Sequence, residues 1–246
     1  MKRFQGKVAL VTGAGSGIGL ATARRIAEEG GTVVAGILNE SQRPAIDGLD
    51  GVTLDVRSEE AWNSALDHVV QTYGGIDALV NSAGISPSAT AEETSWEMWD
   101  DVMAINLKGT FIGCKKTIPL MRSRGGGAIV NLASINAIRG NNRLVAYAAT
   151  KGGVMAMTMS LALDHIGENI RVNCVCPATI DTDMVRQMLA EAPDLEAATR
   201  NITAKHPIGR MAQADEVAST IAFLASSDAS FMTGLAIPVD GGRSIR

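Results

Sequence analysis

Residues 7–19 read KVALVTGAGSGIG. Lys7 to Thr12 is a short apolar run, the pattern of a strand buried on both faces. A glycine loop, Gly13-Ala14-Gly15-Ser16-Gly17-Ile18-Gly19, follows it, and Leu20 to Glu29 then runs at helical period. Strand, glycine loop and helix in this order let backbone N–H groups and a helix N-terminus receive a pyrophosphate. A glycine motif alone says little, but these flanks favour dinucleotide binding over a mere tight turn.

The rest of the chain keeps the alternation. Further strands are expected at Thr32 to Gly36, Val52 to Val56, Ile76 to Val80, Ala128 to Ala133, Ile170 to Val175 and Leu235 to Val239. Helices are expected at Glu59 to Tyr73, Trp96 to Arg122, Val145 to Ile166 and Ala214 to Ala225. The pattern predicts an α/β fold, a single-domain, doubly wound, Rossmann-like parallel sheet with helices on both faces over residues 1–246. Asp183 to Pro207 is polar, irregular and helix-capable, and reads as a substrate lid around residues 183–207.

Composition narrows the function. A net charge of −4 offers no basic field for nucleic acid or an anionic membrane. No apolar run reaches the length of a membrane span or of a signal h-region. Cys114, Cys174 and Cys176 lack metal-ligand spacing and read as buried small hydrophobes in a reducing, cytoplasmic compartment; no metal is expected. His68, His165 and His206 are dispersed and read as structural or surface residues.

Tyr147 and Lys151 carry the chemistry. On a helix this spacing stacks them on one face, where a lysine cation would favour the phenolate and bring tyrosine nearer the working pH of an acid–base catalyst. Ser134, upstream at a strand's end, could bond the same substrate oxygen. Tyr-x-x-x-Lys also arises by chance on many helices, so context must decide. The helix bearing it is apolar almost all round, which predicts burial on every side and a second surface packed on another subunit.

Taken together, these residues resemble the short-chain dehydrogenase/reductase family from end to end. Thr12-Gly13-x-x-x-Gly17-Ile18-Gly19 is similar to its cofactor loop, Asp55-Val56 to its adenine-contacting pair, and Asn81-Ser82-Ala83-Gly84 to its Asn-Asn-Ala-Gly. Asn106, Ser134, Tyr147 and Lys151 match its catalytic tetrad in order, and Pro177 to Thr182 resembles its Pro-Gly segment. Ser82 and Ala178 depart from that pattern. The resemblance implies Tyr147 as acid/base, with Lys151 depressing its pKa and holding the nicotinamide ribose. Ser134 would orient the substrate oxygen, and Asn106 would anchor a proton-relay water while bonding a backbone carbonyl. Cofactor contacts would come from Gly13, Ser16, Gly17, Ile18, Gly19, Ile37, Asp55, Val56, Asn81, Ala83, Gly84, Tyr147, Lys151, Pro177, Ile180 and Thr182. Substrate would meet Ser134, Asn136, Tyr147 and Ala178, within a pocket also lined by Ile138, Arg143 and the lid. A homo-oligomer, dimer or tetramer, is implied through the Tyr147 helix.

The cofactor is NAD or NADP. Position 37, where an acid would hold the ribose hydroxyls, is isoleucine, and Ser16 supplies no cation for a 2′-phosphate, although Arg43 lies near. An unpaired phosphate costs more than a hydroxyl left to water, which favours NAD. The implied reaction moves hydride between the nicotinamide and a secondary alcohol or ketone, with a sugar, polyol or other small hydroxylated substrate first. A 3-oxoacyl thioester reductase comes second, because Ala128 and Gly167-Glu168-Asn169 stand where carrier-protein users hold basic residues, though Arg122 and Arg124 are close. A nucleotide-binding regulator without turnover comes last, since it has no need of Lys151 beside Tyr147.

Overall fold

The structure is a computed structural model and describes residues 2–245. Among these, seven strands form one parallel sheet: β1 (Val8–Thr12), β2 (Thr32–Ile37), β3 (Asp50–Thr53), β4 (Ala78–Asn81), β5 (Gly127–Leu132), β6 (Ile170–Pro177) and the last strand, Ala236–Val239. With two short outlying strands numbered below, this last one is β9, and the order across the sheet is β3-β2-β1-β4-β5-β6-β9. The order reverses between β1 and β4, which opens a crevice at the strands' carboxyl ends.

Alternate side chains along each strand go to opposite faces. Ala9, Val11, Val33, Ala35 and Val80 join α1 (Gly17–Glu28) and α8 (Ala214–Ala225) in one core. Val8, Leu10, Val34, Leu79 and Ile129 join α2 (Glu59–Tyr73) and α4 (Gly109–Ser123) in the other. Trp62 is wholly buried there and donates its indole N–H to the Val56 carbonyl at 3.1 Å, which removes the cost of a buried polar group. Such continuous burial explains why these strands read as unbroken apolar runs.

Several boundaries differ from the sequence expectation. The third strand ends at Thr53, earlier than Val56: Leu54 still donates to the Ile37 carbonyl at 2.7 Å, but Asp55 then turns and accepts from the Arg57 N–H at 3.0 Å. Leu54 and Val56 looked like strand residues because both are buried, against α2 and α4 rather than within the ladder. The fourth strand begins at Ala78, not Ile76, and the first helix begins at Gly17, before its apolar period does. The long helix expected from Trp96 is α3 (Trp96–Val102) and α4 joined by a π-helical turn, Met103–Lys108, with Asn106 inside it. The polar stretch after Thr182 is also more regular than expected, forming α6 (Asp183–Ala190) and α7 (Leu195–Ala204) between two short strands, β7 (Ile180–Asp181) and β8 (Ala212–Gln213).

The Tyr147 helix, α5 (Val145–His165), covers the sheet through Val154, Thr158 and Ala162. It is not buried on every side within one chain. Val145 and Met159 are exposed, and Leu163 is 78% exposed. The free cysteines are all buried.

Candidate active site

The nucleotide end is built by α1 packing hard against the loop before it. A Cβ at Gly19 would stand 2.2 Å from the Gly13 carbonyl oxygen, so only glycine lets the helix approach. Ser16 caps α1 without a side-chain hydrogen bond, and no acid lies in the first turn. The N–H groups of Gly17, Ile18 and Gly19 thus meet a helix end suited to an anion. Thr12 Oγ1 accepts from the N–H groups of Ser82 and Ala83 at 3.0 and 3.1 Å, clamping the β1 and β4 ends side by side. Thr182, which precedes α6, reaches this loop, its Cγ2 lying 3.3 Å from where a Cβ of Gly17 would be. Pro177 ends β6, Ala178 donates to the Val239 carbonyl, and Ile180 is buried in β7.

Some expected cofactor side chains are spent inside the fold. Ile37 is wholly buried in the α1 core. Asn81 is buried and donates to Asn131 Oδ1 at 2.9 Å. The Asp55 carboxylate is held by the Arg57 guanidinium, which keeps its pKa below the usual range. Arg43 does not supply a free cation: Glu40 holds it at 2.6 and 2.9 Å, and it also donates to the Gly51 carbonyl.

The tetrad residues do come together. Ser134 caps a 3₁₀ turn (Ile135–Ala137) at the end of β5, is 5% exposed, and hydrogen-bonds Tyr147. Lys151 is buried, with Nζ 5.6 Å from the Tyr147 ring centroid, and donates to the Leu132 carbonyl at 2.6 Å. Asn106 is locked in its π turn: Nδ2 donates to the Ile85 carbonyl and Oδ1 accepts from the Ile85 N–H, each at 2.9 Å. Gly84 fits between the two, since a Cβ there would lie 3.1 Å from Asn106 Oδ1 and 3.7 Å from Lys151 Nζ.

The electrostatics correct one expectation. Burial pushes the Tyr147 phenol up and the Ser134 hydrogen bond pulls it down; Lys151 is not what lowers it in the chain alone. Lys151 itself is pushed down to about 8 by burial.

A family model described as enoyl-(acyl carrier protein) reductase matches residues 13–244. A 3-oxoacyl-[acyl-carrier-protein] reductase, FabG, of Thermotoga maritima is 40% identical, covering 98% of both chains. The chain belongs to the short-chain dehydrogenase/reductase family. It is similar as well to D-threitol dehydrogenase of Mycolicibacterium smegmatis, 40% identical over 99% of this chain and 95% of that one. Among solved structures, the aldohexose dehydrogenase of Thermoplasma acidophilum superposes with a TM-score of 0.92 at 37% identity, covering 98% of this chain and 95% of that chain. The protein is therefore an NAD(P)-dependent oxidoreductase of this family that acts on alcohol groups.

Three contributors were given no role at the site from the sequence, although Thr12 stood in the cofactor-loop motif and His206 was read as structural or surface. They are Thr12, Thr150, whose Oγ1 accepts from Asn106 at 3.3 Å, and His206, which accepts from the Thr179 N–H at 3.2 Å. A threonine ending β1 or following Tyr147 carries no signal until the elements pack. Among the described residues no trio of His, Cys, Asp or Glu could hold a metal, and no helix is long and apolar enough to cross a membrane.

Proposed function

We propose that this dehydrogenase oxidises or forms a secondary alcohol on a sugar, polyol or similar small hydroxylated molecule, using NAD. The observation carrying the substrate reading is Asn136. Two residues past Ser134, its Oδ1 is buried with no hydrogen-bond partner among the described residues. A substrate hydroxyl that reaches it through a shift of this turn would satisfy that acceptor, and a hydrocarbon would not. The threitol and aldohexose dehydrogenases it resembles agree with this.

Bound at the glycine loop, the nicotinamide cofactor supplies the hydride acceptor or donor. The chain's own residues do the rest. Tyr147 takes or gives the hydroxyl proton, Ser134 holds the same oxygen, and Lys151 and Asn106 sit behind Tyr147 on the proton's way to solvent. Residues 183–207 act as the lid over the substrate, within the single domain. Arg43 is paired with Glu40 and Arg57 with Asp55, so neither stands as an unpaired cation for a 2′-phosphate, which favours NAD.

Thioester reduction is the second reading, supported by the FabG resemblance. Arg122 and Arg124 are its basic candidates, and they pair with Glu168 at 2.9 Å and Asp77 at 3.2 Å. That leaves little for an acidic carrier protein. An exposed apolar stripe with Phe111, Met159 and Leu163 favours association with a second copy across α4 and α5.

Nicotinamide absorbance during turnover tests the reading, with NAD and NADP against sugars, polyols and an acetoacetyl thioester. The expected result is turnover of one polyol or sugar class with NAD, lost by about 10²–10⁴-fold in Tyr147→Phe. Thioester reduction alone, or NADPH bound ten times more tightly than NADH, would replace the corresponding half of the proposal.

A further inference from the structure

Arg143 stands shortly before Tyr147, and its backbone is left-handed, with φ at +59°. Among the described residues the other non-glycine residue with positive φ is Asn169, beyond the far end of α5. Asparagine enters this region readily. An arginine there costs conformational energy and persists only where the surroundings hold it.

The segment 85–93 does the holding. The Arg143 carbonyl accepts from the Ala89 N–H at 2.8 Å, and Leu144 forms an isolated parallel bridge with Ala89. The guanidinium forks onto Glu93, Nη1 to Oε1 at 3.1 Å and Nη2 to Oε2 at 2.6 Å. Glu93 is itself set for this: Oε2 accepts from the Thr90 N–H at 2.9 Å, and the Glu93 N–H donates to Thr90 Oγ1 at 3.3 Å. The pair is half-exposed, so it adds little to stability; a bidentate fork fixes geometry instead.

The same segment begins at the tetrad. Ile85 is bonded through both backbone groups to Asn106, and Asn106 donates to Thr150, whose hydroxyl donates to the Tyr147 carbonyl at 2.7 Å. Residues 85–93 therefore join Asn106 to the start of α5. That helix needs an outside brace, because Leu144 at its N-cap makes no side-chain hydrogen bond and no acid lies in its first turn. Tyr147 stands in that first turn.

We propose that Arg143 is a positioning residue: its fork to Glu93 sets the start of α5, and so the place of the Tyr147 phenol beside Ser134. The proposal rests on Tyr147 as the acid/base. Strained backbone is kept four residues from the phenol because placement there matters more than stability.

Two variants test it. Arg143→Gly removes the fork at a backbone position that glycine accepts, and Glu93→Gln keeps an acceptor for Thr90 but cannot pair as an ion. Hydrogen exchange without substrate reads the brace. The Ala148 amide, which donates to the Leu144 carbonyl, should exchange about tenfold faster in both variants, with the stretch from Thr158 to Ala162 unchanged. The unfolding temperature of Arg143→Gly should not fall, since relief of strain offsets the lost pair. On the alcohol that the nicotinamide assay identifies, kcat should drop about tenfold in both, with KM and NADH affinity unaltered. Unchanged exchange at Ala148, acceleration in Arg143→Gly alone, or a kcat that drops only together with the unfolding temperature would overturn the proposal. Full activity in Tyr147→Phe would instead remove the acid/base reading, and the exchange rates would still judge the brace.

Discussion

Ser134 and Tyr147 share a hydrogen bond that opposes the burial of the phenol. Burial raises the Tyr147 pKa because a phenolate loses water there, and the bond lowers it because it favours the charged oxygen. In alcohol oxidation the phenolate is the base, so the rate climbs as pH rises through that pKa. Ser134→Ala removes the lowering contribution. The midpoint of kcat against pH in the oxidation direction should move upward, with kcat at neutral pH falling about 10–100-fold. An unmoved midpoint would separate Ser134 from the titration of Tyr147 and leave it a substrate contact only. The types and order of these residues were legible in the sequence. Their electrostatic division of labour was not, because the depth of burial and the 5.6 Å between Lys151 and the Tyr147 ring exist only after β5, β6 and α5 have packed.

Two elements hold the site in place. The first is α1, which depends on Gly19 for its approach to Gly13. Gly19→Ala should push the helix off its loop, costing about 1–3 kcal/mol. A lower unfolding temperature and weaker NADH fluorescence enhancement would register the change, and unaltered nucleotide affinity would show that the loop does not need this contact. The second element is the segment that follows α7. There the His206 Nδ1 faces the Ile202 carbonyl at 2.9 Å and Nε2 accepts from Thr179, so the neutral ring is the form that fits. Burial first holds its pKa below the ordinary value, with Arg243 and Lys205 adding to the lowering and the Ile202 carbonyl and Asp240 opposing it. A base with a depressed folded pKa contributes fully above its unfolded value of about 6.5 and loses that contribution as pH falls toward the folded one. The unfolding temperature should therefore fall below about pH 6.5, and His206→Gln should flatten that decline. A variant with the wild-type slope would place the acid sensitivity elsewhere. Sequence read residues 183–207 as polar and helix-capable but underestimated their order, since α6 and α7 are too short to carry much periodic signal.

At the scale of the molecule, the uncovered side of α5 continues onto α4. Phe111 is 45% exposed and Met159 42%, beside a groove lined by Met103, Leu107 and Met157. A stripe of this kind favours a second copy of the chain. Sedimentation of Phe111→Glu/Leu163→Glu should give a monomer where the unaltered protein sediments as a dimer or larger. A monomer for both proteins would remove the association.

Sequence alone determined the fold class, the glycine loop and the order of Asn106, Ser134, Tyr147 and Lys151. Each is written in local terms: apolar runs at strand length, glycines where helix and loop must touch, and residue types at helical spacing. Tertiary structure decided the rest. It ended β3 at Thr53, tied Asn106 into Ile85, turned Ile37 and Asn81 inward, and gathered Arg139, Lys205 and Arg243 around one cleft. These outcomes come from segments distant along the chain competing for the same space, hydrogen bonds and solvent, and no local pattern encodes that competition.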